Sequence, residues 1–147
     1  MTAQVSVKIL DPRAKLPAYG SDDAAGADLY ALTGGPVEIA PGATALIHTG
    51  IAVAVPQGYV GLVYARSGLA CKRGIAPANK VGVIDADYRG EVMVYLHNHG
   101  DRPQTIEDGD RVAQLVITPY LTAQFERVDE MDGTQRGSGG FGSTGKR

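Results

Sequence analysis

Val5, Val7 and Ile9 recur at every second residue with Ser6 and Lys8 between them, and this alternation puts the apolar side chains on one face of an extended strand. Short apolar or alternating runs of the same kind follow at 27–31, 36–40, 43–48, 51–55, 59–65, 81–85, 91–97, 112–118 and 121–128. Each is cut off by breakers: Gly34-Gly35-Pro36, Pro41-Gly42, Pro56-Gln57-Gly58, the stretch from Asn98 to Pro103, and Asp108-Gly109-Asp110. Runs this short, with turns this regular, read as a β-sandwich, jelly roll or barrel. Twenty Gly and eight Pro among 147 residues reinforce the point, because both interrupt helix interiors, and an all-α fold is excluded. The one helix expected is short, from Ser67 as N-cap to Gly74, with Lys72 and Arg73 in its last turn. The expected fold is therefore all-β, a distorted jelly roll or sandwich-like barrel, as one domain over 1–128 followed by a flexible Gly-rich tail over 129–147.

A formal net charge of −2 provides no positive field to hold a duplex, so nucleic acid is not an expected partner. A single cysteine, Cys71, forms no disulfide within the chain, and no Cys/His cluster has zinc-ligand spacing. The N-terminus lacks the basic start and apolar stretch of a signal peptide, and no run reaches the ~18 apolar residues of a membrane span. The expected location is cytoplasmic, with no membrane partner.

Four segments carry residue types suited to chemistry. At Arg66-Ser67-Gly68 a strand delivers a cation, a hydroxyl and a glycine to a helix start, where unpaired N–H groups suit a phosphate or simply form a cap. The stretch NKVGVIDADYRG, 79–90, puts Asp85 and Asp87 on one face of an extended chain with Tyr88 beyond. Read as a hairpin, its Gly82 lets the main chain approach a flat polar ring, and a carboxylate there suits proton abstraction from water; solvated turn aspartates are the plainer reading. Asp28, after Ala25-Gly26-Ala27, is likewise either functional or an acid at a strand edge. In the tail, Arg136 and Phe141 stand among glycines either as parts of a plain linker or as two anchors on a strap that orders only against a ligand or a neighbouring subunit. His97 and His99 share a strand face without a third metal ligand, while Cys71 and His48 carry no recognisable motif.

Five segments in order, AGADLYA at 25–31, ARSGLA at 65–70, NKVGVIDADYRGE at 79–91, GDRVAQLVI at 109–117 and RGSGGFGSTG at 136–145, resemble the motifs of the trimeric dUTP pyrophosphatase (dUTPase) family over nearly the whole chain. Ala65 and Lys80-Val81 depart from residues usual in that family, a proline before Arg-Ser-Gly and a Ser-Pro pair. The resemblance implies a jelly-roll homotrimer with shared sites that hydrolyses dUTP to dUMP and pyrophosphate by attack of water on the α-phosphorus, keeping uracil out of DNA and supplying dUMP for thymidylate synthesis. It implies Asp85 as the water-activating base and Tyr88 as the wall that excludes a 2′-hydroxyl. It also implies Asn79 with the main chain of Gly82, Val83 and Ile84 as the uracil reader, and Met93 beside them. Arg66, Ser67, Gly68 and Gln114 would hold the triphosphate, while Arg136 and Phe141 close over the nucleotide. The implied cofactor is Mg²⁺, held mainly by substrate phosphates and by Asp28 through water. A dCTP deaminase-like enzyme is the nearest alternative, but where such an enzyme carries its catalytic glutamate this chain has Tyr95. A non-catalytic nucleotide-binding regulator would have no need of Asp85.

Overall fold

The computed structural model describes residues 2–141. The strands are β1 (Ser6–Ile9), β2 (Ala18–Tyr19), β3 (Ala27–Tyr30), β4 (Val37–Ile39), β5 (Thr44–Ala54), β6 (Tyr59–Tyr64), β7 (Ile75–Pro77), β8 (Gly82–Ile84), β9 (Glu91–Asn98), β10 (Gln104–Ile106) and β11 (Arg111–Pro119), with one helix among the described residues, α1 (Ser67–Arg73). They form a four-stranded sheet in the order β1-β5-β9-β7, a five-stranded sheet in the order β2-β3-β11-β6-β8, and a β10-β4 pair. Every pairing is antiparallel. One core draws on both large sheets: Ile47, Ile51 and Val53 of β5 and Val92, Val94 and Leu96 of β9 meet Leu29, Val63, Ile84 and Leu115 from the other side. The all-β, jelly-roll-like architecture is as the alternation requires. No helix among the described residues is long and apolar enough to cross a membrane.

Several local expectations are corrected. The runs 43–48 and 51–55 are one strand, β5, because a bulge around Gly50, at φ +70°, absorbs two extra residues and the register to β9 resumes at Ala52. A Cβ at position 50 would clash with Leu32 and Ala14, so the bulge requires glycine twice over. The helix N-cap is Arg66, which makes no side-chain cap bond, and Ser67 is already helical; Gly74 at φ +68° ends the helix as expected. Residues 121–128 form no strand, since extended conformation needs a ladder partner and this segment has none within the described chain; Leu121 is 96% exposed and Phe125 94%. Asn98 is fully buried as the last residue of β9 instead of opening a turn.

Candidate active site

The segment 79–91 is not a two-stranded hairpin. Its strand β8 pairs with β6 in one sheet, Gly82 opposite Val63 and Ile84 opposite Gly61, whereas β9 lies in the other sheet, so 85–90 crosses between layers. This crossover makes β8 the outer strand of its sheet, with one row of main-chain groups free of ladder bonds. Gly82 is held tightly: an added Cβ would lie 3.2 Å from both Asn79 Nδ2 and Val63 Cβ. Asp85 leaves the end of β8 exposed, and the Tyr88 N–H bonds to its carbonyl at 3.2 Å, closing a turn over 86–87. Asp85 and Asp87 therefore do not share an extended face as the sequence suggested. Asp85 borders the cleft between β8 and β9, and Asp87 does not.

Tyr88 folds back so that its ring lies over Gly90, where a Cβ would collide with the phenol, and its hydroxyl donates to the Glu91 carbonyl at 2.9 Å. The Arg89 guanidinium stiffens the turn by donating to the carbonyls of Ala86 and Tyr88 at 2.7 and 2.8 Å. Met93 and Tyr95 project from the outer face of β9, alternating with the buried Val92, Val94 and Leu96. The result is a cleft of about 250 Å³ that brings Asn79, Gly82, Val83, Ile84, Asp85, Tyr88 and Met93 together, with Tyr95 at its border. An apolar floor, an unpaired strand edge and a single exposed carboxylate are the groups needed to hold a flat polar ring and activate a water.

A second hollow, of about 260 Å³, lies at the start of α1 and includes Arg66 and Gly68, with Arg73, Asp110 and Arg111; Ser67 is exposed beside them. Buried Asp28 organises this corner: its Oδ1 accepts Arg66 Nε–H at 2.7 Å and its Oδ2 accepts from Arg111 at 3.2 Å. Gln114 sits opposite Asp28 on one side and Tyr64 on the other, and its amide donates to the Ala65 carbonyl at 2.9 Å. Gly26 allows this, because a side chain there would drive into the Gln114 amide. The paired cations suit a polyanion. No lining residue is common to the two hollows.

Among the described residues no group of three or more His, Cys, Asp or Glu is arranged to hold a metal. Each Asp28 oxygen accepts one guanidinium hydrogen and keeps lone-pair capacity for a metal-bound water, so the donor set fits a cation carried mostly by phosphates. His97 and His99 stack edge to face at 4.4 Å, and His97 Nδ1 bonds Thr44 Oγ1 at 2.8 Å, an arrangement internal to the sheet surface.

Arg136 and Phe141 touch neither hollow. Arg136 donates to the Gly139 carbonyl at 2.7 Å within the arm, and Phe141 is fully exposed. Residues 142–145 of the final motif lie outside the described residues. Sequence reasoning passed over Arg111, whose signal is a cation on a strand beside a buried acid, and Arg89, whose signal is its place in a turn.

A family model for dUTPase matches residues 12–145. A deoxyuridine 5'-triphosphate nucleotidohydrolase of Syntrophotalea carbinolica is 51% identical over 144 residues, covering 98% of each chain. The dUTPase of Staphylococcus bacteriophage 80alpha, solved with dUPNHPP, superposes with a TM-score of 0.88 at 31% identity over 98% of this chain and 99% of the phage protein. A mutant dUTPase of phage phi11 of S. aureus, described with a coordinated structural Mg(II) ion, has a TM-score of 0.77 at 28% identity, covering 87% and 98%. On these grounds the chain belongs to the dUTPase family.

Proposed function

We propose that this chain hydrolyses dUTP to dUMP and pyrophosphate as a dUTP diphosphatase, with Asp85 as the base. The observation that carries the reading is the cleft where Asp85, Tyr88 and Asn79 converge on the free edge of β8. Uracil presents alternating acceptors and a donor, which the main-chain N–H and C=O groups of Gly82, Val83 and Ile84 and the Asn79 amide complement. Cytosine reverses that polarity at two positions and would strand buried groups, a mismatch able to discriminate by about 10⁴. Met93 packs beside the base. The Tyr88 ring lies where a ribose 2′-hydroxyl would project, so ribonucleotides meet a steric wall.

In the reaction, Asp85 accepts a proton from a water as its oxygen bonds to the α-phosphorus, the bond from that phosphorus to the bridging oxygen breaks, and pyrophosphate departs; such a base contributes about 10²–10⁴-fold. Arg66, Ser67, Gly68 and Gln114 hold the triphosphate in line. Asp28 holds Arg66 in place and, through water, would hold Mg²⁺ on the phosphates, where the ion supplies charge shielding and fixes the phosphate conformation. The arm closes on the bound nucleotide, with Arg136 toward the γ-phosphate and Phe141 stacking on uracil, and this closure excludes bulk water.

We further place 1–128 as the β-domain and 129–147 as the closing arm, in a cytoplasmic homotrimer with shared sites. Two observations support the shared site. The base-reading cleft and the phosphate corner have no lining residue in common, and Leu121, Phe125, Met131 and Phe141 stand exposed with nothing of the described chain covering them. The test is purified protein with Mg²⁺ and each of dUTP, dCTP, dTTP and UTP, scored for pyrophosphate and ammonia. Pyrophosphate from dUTP alone, without ammonia, is expected. Ammonia from dCTP, or no turnover of dUTP, overturns the reading.

A further inference from the structure

Glu91 lines the edge of the cleft but has no role in the reaction just proposed, yet its side chain and its carbonyl are both engaged. It opens β9 partly buried, and both carboxylate oxygens are bound to the β5 bulge: Oε1 accepts the Gly50 N–H at 2.8 Å, and Oε2 lies 2.9 Å from His48 Nδ1. Its own carbonyl accepts the Tyr88 hydroxyl at 2.9 Å. The neighbouring Val92 carbonyl accepts the Thr49 hydroxyl, which ties the same two strands a second time. Burial pushes the Glu91 carboxyl upward, but hydrogen bonds from His48 and the Gly50 N–H outweigh that and hold it below its ordinary value, so it is an ionised acceptor at neutral pH.

We infer that His48 and Glu91 are a positioning pair that sets the tilt of the Tyr88 ring, and through it the discrimination between deoxyribo- and ribonucleotides. The inference rests on the role proposed above for Tyr88. With the ring resting on Gly90, the tether from the hydroxyl to the Glu91 carbonyl fixes how the ring leans. That carbonyl is only as steady as the residue bearing it. The carboxylate anchors residue 91 to a part of the fold that is itself fixed on several sides: Gly50 accepts the Leu10 N–H at 2.8 Å, and the His48 carbonyl accepts the Leu32 N–H at 2.8 Å. Asp11 and Arg13 line the hollow on the far side of the pair but are bound to each other at 2.8 Å, leaving His48 and Glu91 as partners. Exclusion of one hydroxyl by contact is sensitive to shifts of a fraction of an ångström, so a remote anchor of this kind acts on specificity before it acts on the chemical step.

The test measures kcat and KM for dUTP and UTP with Mg²⁺ on the full-length protein, together with the melting temperature, for wild type, Glu91→Ala, Glu91→Gln, His48→Ala, Tyr88→Phe, Tyr88→Ala and the Glu91→Ala/Tyr88→Phe double variant. Glu91→Ala should lower the dUTP-over-UTP ratio of kcat/KM by about tenfold, through KM more than kcat. Glu91→Gln still accepts the Gly50 N–H and donates to a neutral His48, and should stay within about threefold of wild type. His48 is half exposed, so His48→Ala should fold and move the ratio the same way by a smaller factor. The effects of Glu91→Ala and Tyr88→Phe should be strongly non-additive, since both cut one tether. An unchanged ratio in Glu91→Ala, or in His48→Ala should Glu91→Ala not fold, overturns the inference. Additive effects in the double variant, or a lowered melting temperature with both nucleotides affected alike, overturn it too. Tyr88→Ala separates the two levels: a collapsed ratio there with an unmoved ratio in Glu91→Ala sinks the pair alone, whereas an unmoved ratio in Tyr88→Ala sinks the sugar-wall role as well.

Discussion

Asn98 is completely buried at the end of β9 with its whole amide in use: Nδ2 donates to the carbonyls of Ile39 and Arg102 at 2.8 Å, and Oδ1 accepts the Gly100 N–H at 2.9 Å. It joins β4, β9 and the loop toward β10 at one point. Asn98→Ala leaves two carbonyls and an N–H without partners in the interior and should cost about 2–4 kcal/mol, measured by urea denaturation. Acid titration belongs to this scale too. The Thr33 and Gly34 N–H groups hold Asp108 below its ordinary 3.8, Glu91 lies below its ordinary 4.5 for the reasons given, and Arg13 draws Asp11 down to about 2. A folded-state value below the unfolded one means stability that is complete above about pH 4.5 and is lost as pH falls through the folded values. The melting temperature should therefore hold from neutrality to about pH 4.5 and decline below it, and Glu91→Gln should flatten the upper part of that decline. Candidate residues singled out by their own chemistry, such as Asp85 and Arg66, were legible in the sequence as members of the two hollows. Asn98 and Glu91 were not, because their roles are set by partners 59 and 41 positions away.

Among the elements, β8 is the one on which the proposed recognition of uracil depends. Its exposed edge exists because the chain leaves it for the opposite sheet instead of turning back on it, and period-two alternation says nothing of which sheet a strand joins. The sequence therefore places the 79–91 residues correctly as a group, and its hairpin gives way to a crossover. In β5 the alternation is likewise right and the break wrong, since a left-handed glycine makes a bulge as readily as a turn. The short strands β2, β7 and β10 carry too few residues to show a period at all. Gly82→Ala tests β8 directly. The new methyl meets Asn79 on one side and Val63 on the other, so either the amide or the strand must move. KM for dUTP should rise about tenfold with the fold retained, as circular dichroism and steady-state kinetics would report.

For the molecule as a whole, the arm is what the core does not explain. Beyond Pro119 the described chain runs without strand or helix to Phe141, and its large apolar side chains stay exposed. Glycine richness made the lack of regular structure legible, but only the structure shows that nothing among the described residues receives Phe141. Truncation before Arg136 should leave a folded protein that sizes as a trimer of the shortened chain and has severely reduced turnover of dUTP; full activity in the truncated protein would remove the closing role.

The most direct measurement is pyrophosphate release from dUTP by Asp85→Asn, set beside its affinity for dUTP by calorimetry. The amide fills the same space at the border of the cleft but does not take the proton. Release should cease while Kd stays within about an order of magnitude of wild type. Turnover at the wild-type rate in that variant would contradict the account.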